Sequence, residues 1–282
     1  MINSPFARLF ILGLLSGVPL FGCKAVSKSN ISTEAQSLDL TEYAAFFAFD
    51  GTAITFKDHS TVVTMMEEAK AQGYYYQGAN VEGSSLFVDL DKALDQVCAI
   101  AKKGNLKKVY VVGYSRGAIA AISFVHRAPK QCGTKIPFAW IGLLDPVNTN
   151  LTGQELPTYL PAAMETPCSL VYKENTWEHF VTTVKIDGCN SAVIAVPDVH
   201  HIKISKDPRA REALMRSAEY LTNGAIGYSD YLKIAGPAAN SLFKPKPLKS
   251  EKDALCKTKL QDSSGCLELG CQYDIAGGIC FE

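Results

Sequence analysis

The segment Gly113-Tyr114-Ser115-Arg116-Gly117 constrains this chain more than any other. An apolar run, Val109-Tyr110-Val111-Val112, leads into it, and a small-residue run, Ala118-Ile119-Ala120-Ala121, leads away. Strand, sharp turn and helix is the context in which a G-x-S-x-G pattern holds a nucleophilic serine. The turn forces Ser115 into a strained backbone conformation, and glycine on both flanks removes Cβ atoms that would clash with the neighbouring strand or helix. The hydroxyl then stands at a sheet edge, at the N-terminus of a helix whose dipole favours a developing oxyanion. The competing reading is a glycine-rich turn around an ordinary serine. The flanking elements favour the nucleophile.

Residues 1–22 read as a signal peptide. Arg8 supplies a positive charge and Leu9–Leu15 an apolar core too short to span a bilayer. Leu20-Phe21-Gly22-Cys23 resembles the lipobox of bacterial lipoproteins, in which the cysteine becomes the lipidated N-terminus. Ordinary signal cleavage nearby is the alternative. On the lipoprotein reading Cys23 anchors the chain to a membrane, residues 23–40 form a polar tether, and the protein resides in the cell envelope or is secreted.

Cysteine usage agrees with export. Of nine cysteines, Cys98, Cys132, Cys168, Cys189, Cys256, Cys266, Cys271 and Cys280 remain once Cys23 is given to lipid. An even number in an exported chain reads as disulfides. Cys168 and Cys189 flank a predicted strand and suit a local bridge; the other pairings stay open. The last four are spaced C-x9-C-x4-C-x8-C, with no C-x-x-C pair and no histidine nearby, which argues against zinc. Neither a metal nor an organic cofactor is expected. Lys and Arg number 28, as do Asp and Glu. A balance so near neutral makes no case for nucleic acid as a partner.

Apolar runs alternate with helical spacing along residues 41–235. Strands are expected at Tyr43–Phe49, Tyr74–Tyr76, Lys107–Val112, Ile136–Leu144, Ser169–Lys173 and Ala192–Val196. Helices are expected at Thr61–Gln72, at Ser85–Lys103, from the elbow to Arg127, and at Asp207–Thr222. This alternation predicts an α/β domain with a mostly parallel central sheet covered by helices on both faces. Residues 236–282 turn to Pro, Lys, Ser and Cys, which reads as a linker and a small Cys-rich tail held by disulfides.

An activated serine needs a base, and the base needs an acid to orient it; here the chain order should be serine, acid, histidine. His126 sits about three turns along the helix leaving the elbow, too far to reach Ser115. His179 lies in a polar loop. His200 and His201 follow the last predicted strand, where a returning loop reaches the serine. His201 is preferred by a slim margin because it directly precedes Ile202-Lys203-Ile204, read as an alternating anchor. Asp145 ends a buried strand at the ligand-binding edge and is the expected acid, with Glu174 as rival. The oxyanion hole should use the Arg116 N–H and a second N–H from Gly51 or Thr52. Asp50-Gly51-Thr52 also evokes the D-x-D-G-T motif of haloacid dehalogenase-like phosphoryl transfer, but Ala48 stands where that nucleophilic aspartate belongs.

Phe49-Asp50-Gly51-Thr52, Tyr74-Tyr75-Tyr76-Gln77-Gly78 and Gly113-Tyr114-Ser115-Arg116-Gly117-Ala118 together resemble the F-D-G-T, Y-Y-x-G and G-F-S-R-G-A series of a bacterial α/β-hydrolase family. That family includes type VI secretion lipase effectors. The likeness runs over about residues 43–206 and implies an α/β-hydrolase fold, a serine esterase and, from the effector members, phospholipase A activity. It aligns Asp145 with the family's acid and His200-His201 with its histidine region. The expectation is a Ser115–His201–Asp145 esterase of lipase type acting on ester or lipid substrates. From another class, the alternative is a catalytically silent hydrolase-fold envelope protein that binds a partner. Residues 149–165, moderately apolar at Leu151, Leu156, Tyr159 and Leu160, read as a lid or a long connection.

Overall fold

A computed structural model describes residues 43–52, 54, 56–78, 85–148, 156–162, 164–174, 183–235, 242–244, 272–274 and 279–281. The signal peptide, Cys23, the tether, His179 and most of the C-terminal tail lie outside these residues.

Six strands form one parallel sheet: β1 (Tyr43–Phe49), β2 (Gln72–Tyr76), β3 (Leu106–Tyr114), β4 (Phe138–Leu144), β5 (Cys168–Lys173) and β6 (Ala192–Val196). Their spatial order is β2-β1-β3-β4-β5-β6, and every ladder is parallel. The chain leaves β1 to form β2 on one side, then crosses back to lay β3 on the other. That reversal opens a crevice beyond the carboxyl ends of β1 and β3, where an open α/β sheet binds ligands. Asp50-Gly51-Thr52 and Tyr114-Ser115 are the residues that emerge there.

Two apolar cores, one on each face, follow from strand alternation. Ala45, Phe47, Phe49, Val109 and Val111 pack beneath α2 (Ser85–Ala101) and α3 (Arg116–Cys132). Phe46, Ala48, Tyr110, Val112 and Trp140 face α1 (Thr61–Glu68) and α5 (Pro208–Leu221). This is the α/β-hydrolase-like arrangement that the sequence predicts. A short helix, α4 (His201–Ile204), follows β6, and α6 (Ser229–Ala235) follows α5. In the tail, β7 (Gln272–Asp274) and β8 (Ile279–Phe281) pair antiparallel; Cys256, Cys266 and Cys271 lie outside the described residues.

Most expected elements appear, with shifted ends. The helix α1 stops at Glu68 because Ala69 is already extended, and β2 starts at Gln72. Beyond Arg127, α3 continues through Pro129 to Cys132 and ends on Gly133 at φ 65°. β4 begins after Pro137, which cannot donate to a ladder. Ile202-Lys203-Ile204 is not an alternating anchor; it is one helical turn. Cys168 bridges Cys189 as expected, and Cys98 bridges Cys132, tying α2 to the end of α3.

Candidate active site

Ser115 follows β3 with φ 56° and ψ −127°, a region that a non-glycine residue enters only at a cost of about 1–3 kcal/mol. Its amide donates to Leu144 O and its carbonyl accepts from the amides of Ala118 and Val147, so the strained peptide is held from both sides. A Cβ on Gly117 would stand 2.3 Å from Phe49 O, and one on Gly113 would stand 2.4 Å from Gly117 O. The two glycines let β1, β3 and α3 meet at the turn.

Three predicted residues come together here. His201 Nε2 lies 2.8 Å from Ser115 Oγ, and His201 Nδ1 lies 2.6 Å from Asp145 Oδ2. All three side chains are buried. Asp145 itself sits at φ 42° after β4, with its amide donating to Val171 O. Its Oδ1 accepts from the Lys173 amide at 3.4 Å and from the Thr183 hydroxyl. With Oδ1 engaged by those donors, Oδ2 faces the imidazole, the geometry that fixes which ring nitrogen carries the proton.

The other candidates stand elsewhere. His200 precedes α4 as its N-cap and is half-buried. Glu174 is exposed at the end of β5, where its amide donates to Val196 O. His126 Nε2 lies 2.7 Å from the Tyr159 carbonyl oxygen, and Leu160 is buried with its amide bonded to Asp187 O. The described part of residues 149–165 is therefore a fastened connection. Residues 149–155 and 163 lie outside the described residues.

Gly51 borders the serine: a Cβ there would stand 3.1 Å from Ser115 Cβ. Its amide, however, donates to Asp50 Oδ1 at 2.9 Å. The Ile54 amide closes a turn onto Gly51 O, and a Cβ on Gly78 would stand 1.4 Å from that same oxygen. The loops after β1 and β2 are thus pressed together over the elbow, which accounts for glycine in both.

Sequence reasoning missed Tyr114 and Thr183. Tyr114 donates its hydroxyl to the His201 carbonyl oxygen at 2.6 Å and stacks on the imidazole. Its signal was present but unread, as the aromatic residue inside the serine motif. Thr183 carries no pattern that could have singled it out. Among the described residues, no group of three or more His, Cys, Asp or Glu side chains is arranged to hold a metal ion, and no helix is long and apolar enough to cross a membrane.

No family model matches the chain, and no curated protein matches it. Solved structures with related coordinates include a protein from Xanthomonas campestris pv. campestris assigned to the α/β-superfamily hydrolases. It is 17% identical, with 64% of this chain and 99% of that one covered at a TM-score of 0.44. An esterase/lipase from an uncultured bacterium is 14% identical, covering 64% of this chain and 76% of that one at 0.44. The Tle1 effector, solved bound to the VgrG spike of a type 6 secretion system, is 15% identical at a TM-score of 0.40. That match covers 58% of this chain and 50% of the effector.

Proposed function

We propose that this protein is an exported serine hydrolase that cleaves carboxylic esters, with lipase-like substrates. The observation carrying this reading is the hydrogen-bonded series from Ser115 Oγ through the His201 ring to Asp145 Oδ2, at 2.8 and 2.6 Å, beside a serine with φ 56°. Strain at a residue so placed supports a nucleophile rather than a turn filler.

In the proposed reaction Ser115 Oγ attacks the acyl carbonyl while His201 Nε2 takes its proton. Asp145 Oδ2 accepts from the Nδ1–H and favours the imidazolium as it forms. The carbonyl oxygen becomes an oxyanion, received by the Arg116 N–H at the start of α3 and a second N–H from the turn after β1. His201 returns the proton to the departing alkoxide, leaving an acyl group on Ser115. Water activated by the same histidine then releases the acid. Export is supported by Arg8, the apolar Leu9–Leu15 and the two disulfides; a lipid on Cys23 belongs to the same proposal.

A fluorophosphonate probe tests the reading. Wild type should label, Ser115→Ala should not, and His201→Ala should be far slower than His200→Ala. Absent labelling of folded wild type, or labelling that survives Ser115→Ala, would favour the silent, partner-binding alternative. A panel of acyl-chain lengths, offered as phospholipids and as soluble esters, then defines the substrate.

A further inference from the structure

The proposed reaction leaves one buried carboxylate at the same sheet edge unused. Asp50, directly after β1, is as buried as the triad and accepts from three donors at once. Oδ1 takes the Gly51 N–H at 2.9 Å; Oδ2 takes the Ser60 hydroxyl at 2.6 Å and the Tyr75 hydroxyl at 3.2 Å. Ser60 is the N-cap of α1, accepting from the Val63 amide, and Tyr75 lies in β2. The Asp50 amide donates to Tyr76 O. One side chain therefore fastens the turn beside Ser115 to both elements that follow it.

The same contact bears on which amide receives the oxyanion. A negative oxygen placed on the Gly51 N–H would lie against Asp50 Oδ1, and two like charges sharing one donor repel. Thr52, one residue on and within the turn that Ile54 closes, is the remaining donor of the pair that the sequence offers.

We propose that Asp50 is a positioning residue: by holding the Gly51 N–H, it orients the turn so that the Thr52 N–H, opposite that of Arg116, completes the oxyanion hole. This rests on the serine-hydrolase reading. Because an oxyanion exists only near the transition state, loss of the clamp should lower kcat with little change in KM.

The test uses the full-length protein, p-nitrophenyl acetate and a fluorophosphonate. Asp50→Ala should lose about 10²-fold in kcat, with KM within about twofold. Asp50→Asn keeps an oxygen for the Gly51 N–H and should recover most of that loss. In the crystal structure of the phosphonylated enzyme, the phosphonyl oxygen should stand about 2.7–3.1 Å from the amides of Thr52 and Arg116, with Gly51 still on Asp50. Wild-type turnover in Asp50→Ala, an Asn variant as impaired as Ala, or a phosphonyl oxygen on the Gly51 amide would each overturn the proposal. If Asp50→Ala fails to fold, the Asn variant and the adduct decide. A wild type that neither labels nor hydrolyses fails at the underlying reading and takes this proposal with it.

Discussion

Tyr114 and His201 touch twice: the phenol hydroxyl donates to the His201 carbonyl oxygen at 2.6 Å, and the two rings stack with centroids 5.2 Å apart. A side chain on a four-residue helix has little else from its own element to hold it. On the proposed chemistry, the residue before the serine thus braces the base, and backbone and ring are fixed together.

Tyr114→Phe should separate those two contacts. It keeps the ring and deletes one hydrogen bond worth about 1 kcal/mol, so kcat should fall about fivefold with KM unmoved. Tyr114→Ala removes the stacking surface as well and should fall further. Steady-state kinetics on a soluble ester measures both; equal rates in Phe and wild type would assign the bracing to stacking alone.

Asp145 should respond to its other donor. Asp145→Asn leaves the shape intact but favours the wrong imidazole tautomer, and kcat should drop about 10⁴-fold. Thr183→Val deletes one donor to the buried carboxylate and should cost about tenfold, with Thr183→Ser restoring it. If Val and Ser variants match, the hydroxyl is not what positions the acid.

The stability gap between Asp50→Asn and wild type should depend on pH. Burial pushes the Asp50 carboxyl above its ordinary value, against the lowering effect of hydrogen bonds from Ser60, Gly51 and Tyr75, and nearby Asp58 raises it further. The folded state then holds this proton more tightly than the unfolded chain does. This group's contribution to stability therefore falls as pH rises out of the carboxylate range, and recovers on acidification. Thermal melts should show the Asn variant above wild type at neutral pH, with the gap closing toward about pH 4. A gap constant with pH would contradict it.

The two disulfides among the described residues should contribute unequally. Cys98–Cys132 closes a loop of 34 residues and Cys168–Cys189 one of 21. Chain entropy assigns them about 3.8 and about 3.3 kcal/mol. Urea unfolding of the paired Cys→Ser variants measures each, and the first should shift the midpoint more.

Strand positions were legible wherever the chain carries an unbroken apolar run: Tyr43–Phe49 and Ala192–Val196 have the bounds that their residues suggest. Their order in the sheet was not, because period and composition do not say which neighbour a buried strand takes. Ser115 and Asp145, which both lie against the His201 ring, stood out in the sequence because each ends a buried strand. His201 was preferred to His200 only by a slim margin, since adjacent residues share every local signal and differ in the direction their side chains take. In the structure the His201 ring lies between Ser115 Oγ and Asp145 Oδ2, while His200 caps α4. Cys98–Cys132 was unreadable because its partners meet only once α2 and α3 lie side by side. The bond from the Gly51 amide to Asp50 Oδ1 had no signal in the sequence, which offered that amide as an oxyanion donor.

His201 lies 86 residues beyond Ser115 and 56 beyond Asp145. The strands that deliver the serine and the acid are neighbours in the middle of the sheet, whereas the histidine arrives only after β6 has joined its rim. Contacts so distant in sequence close late. On the proposed chemistry, a partly folded chain carries a hydroxyl with no base, and its sheet order is a built-in safety catch. Refolding experiments would then find ester cleavage returning with the last edge strand, after the bulk of the secondary structure.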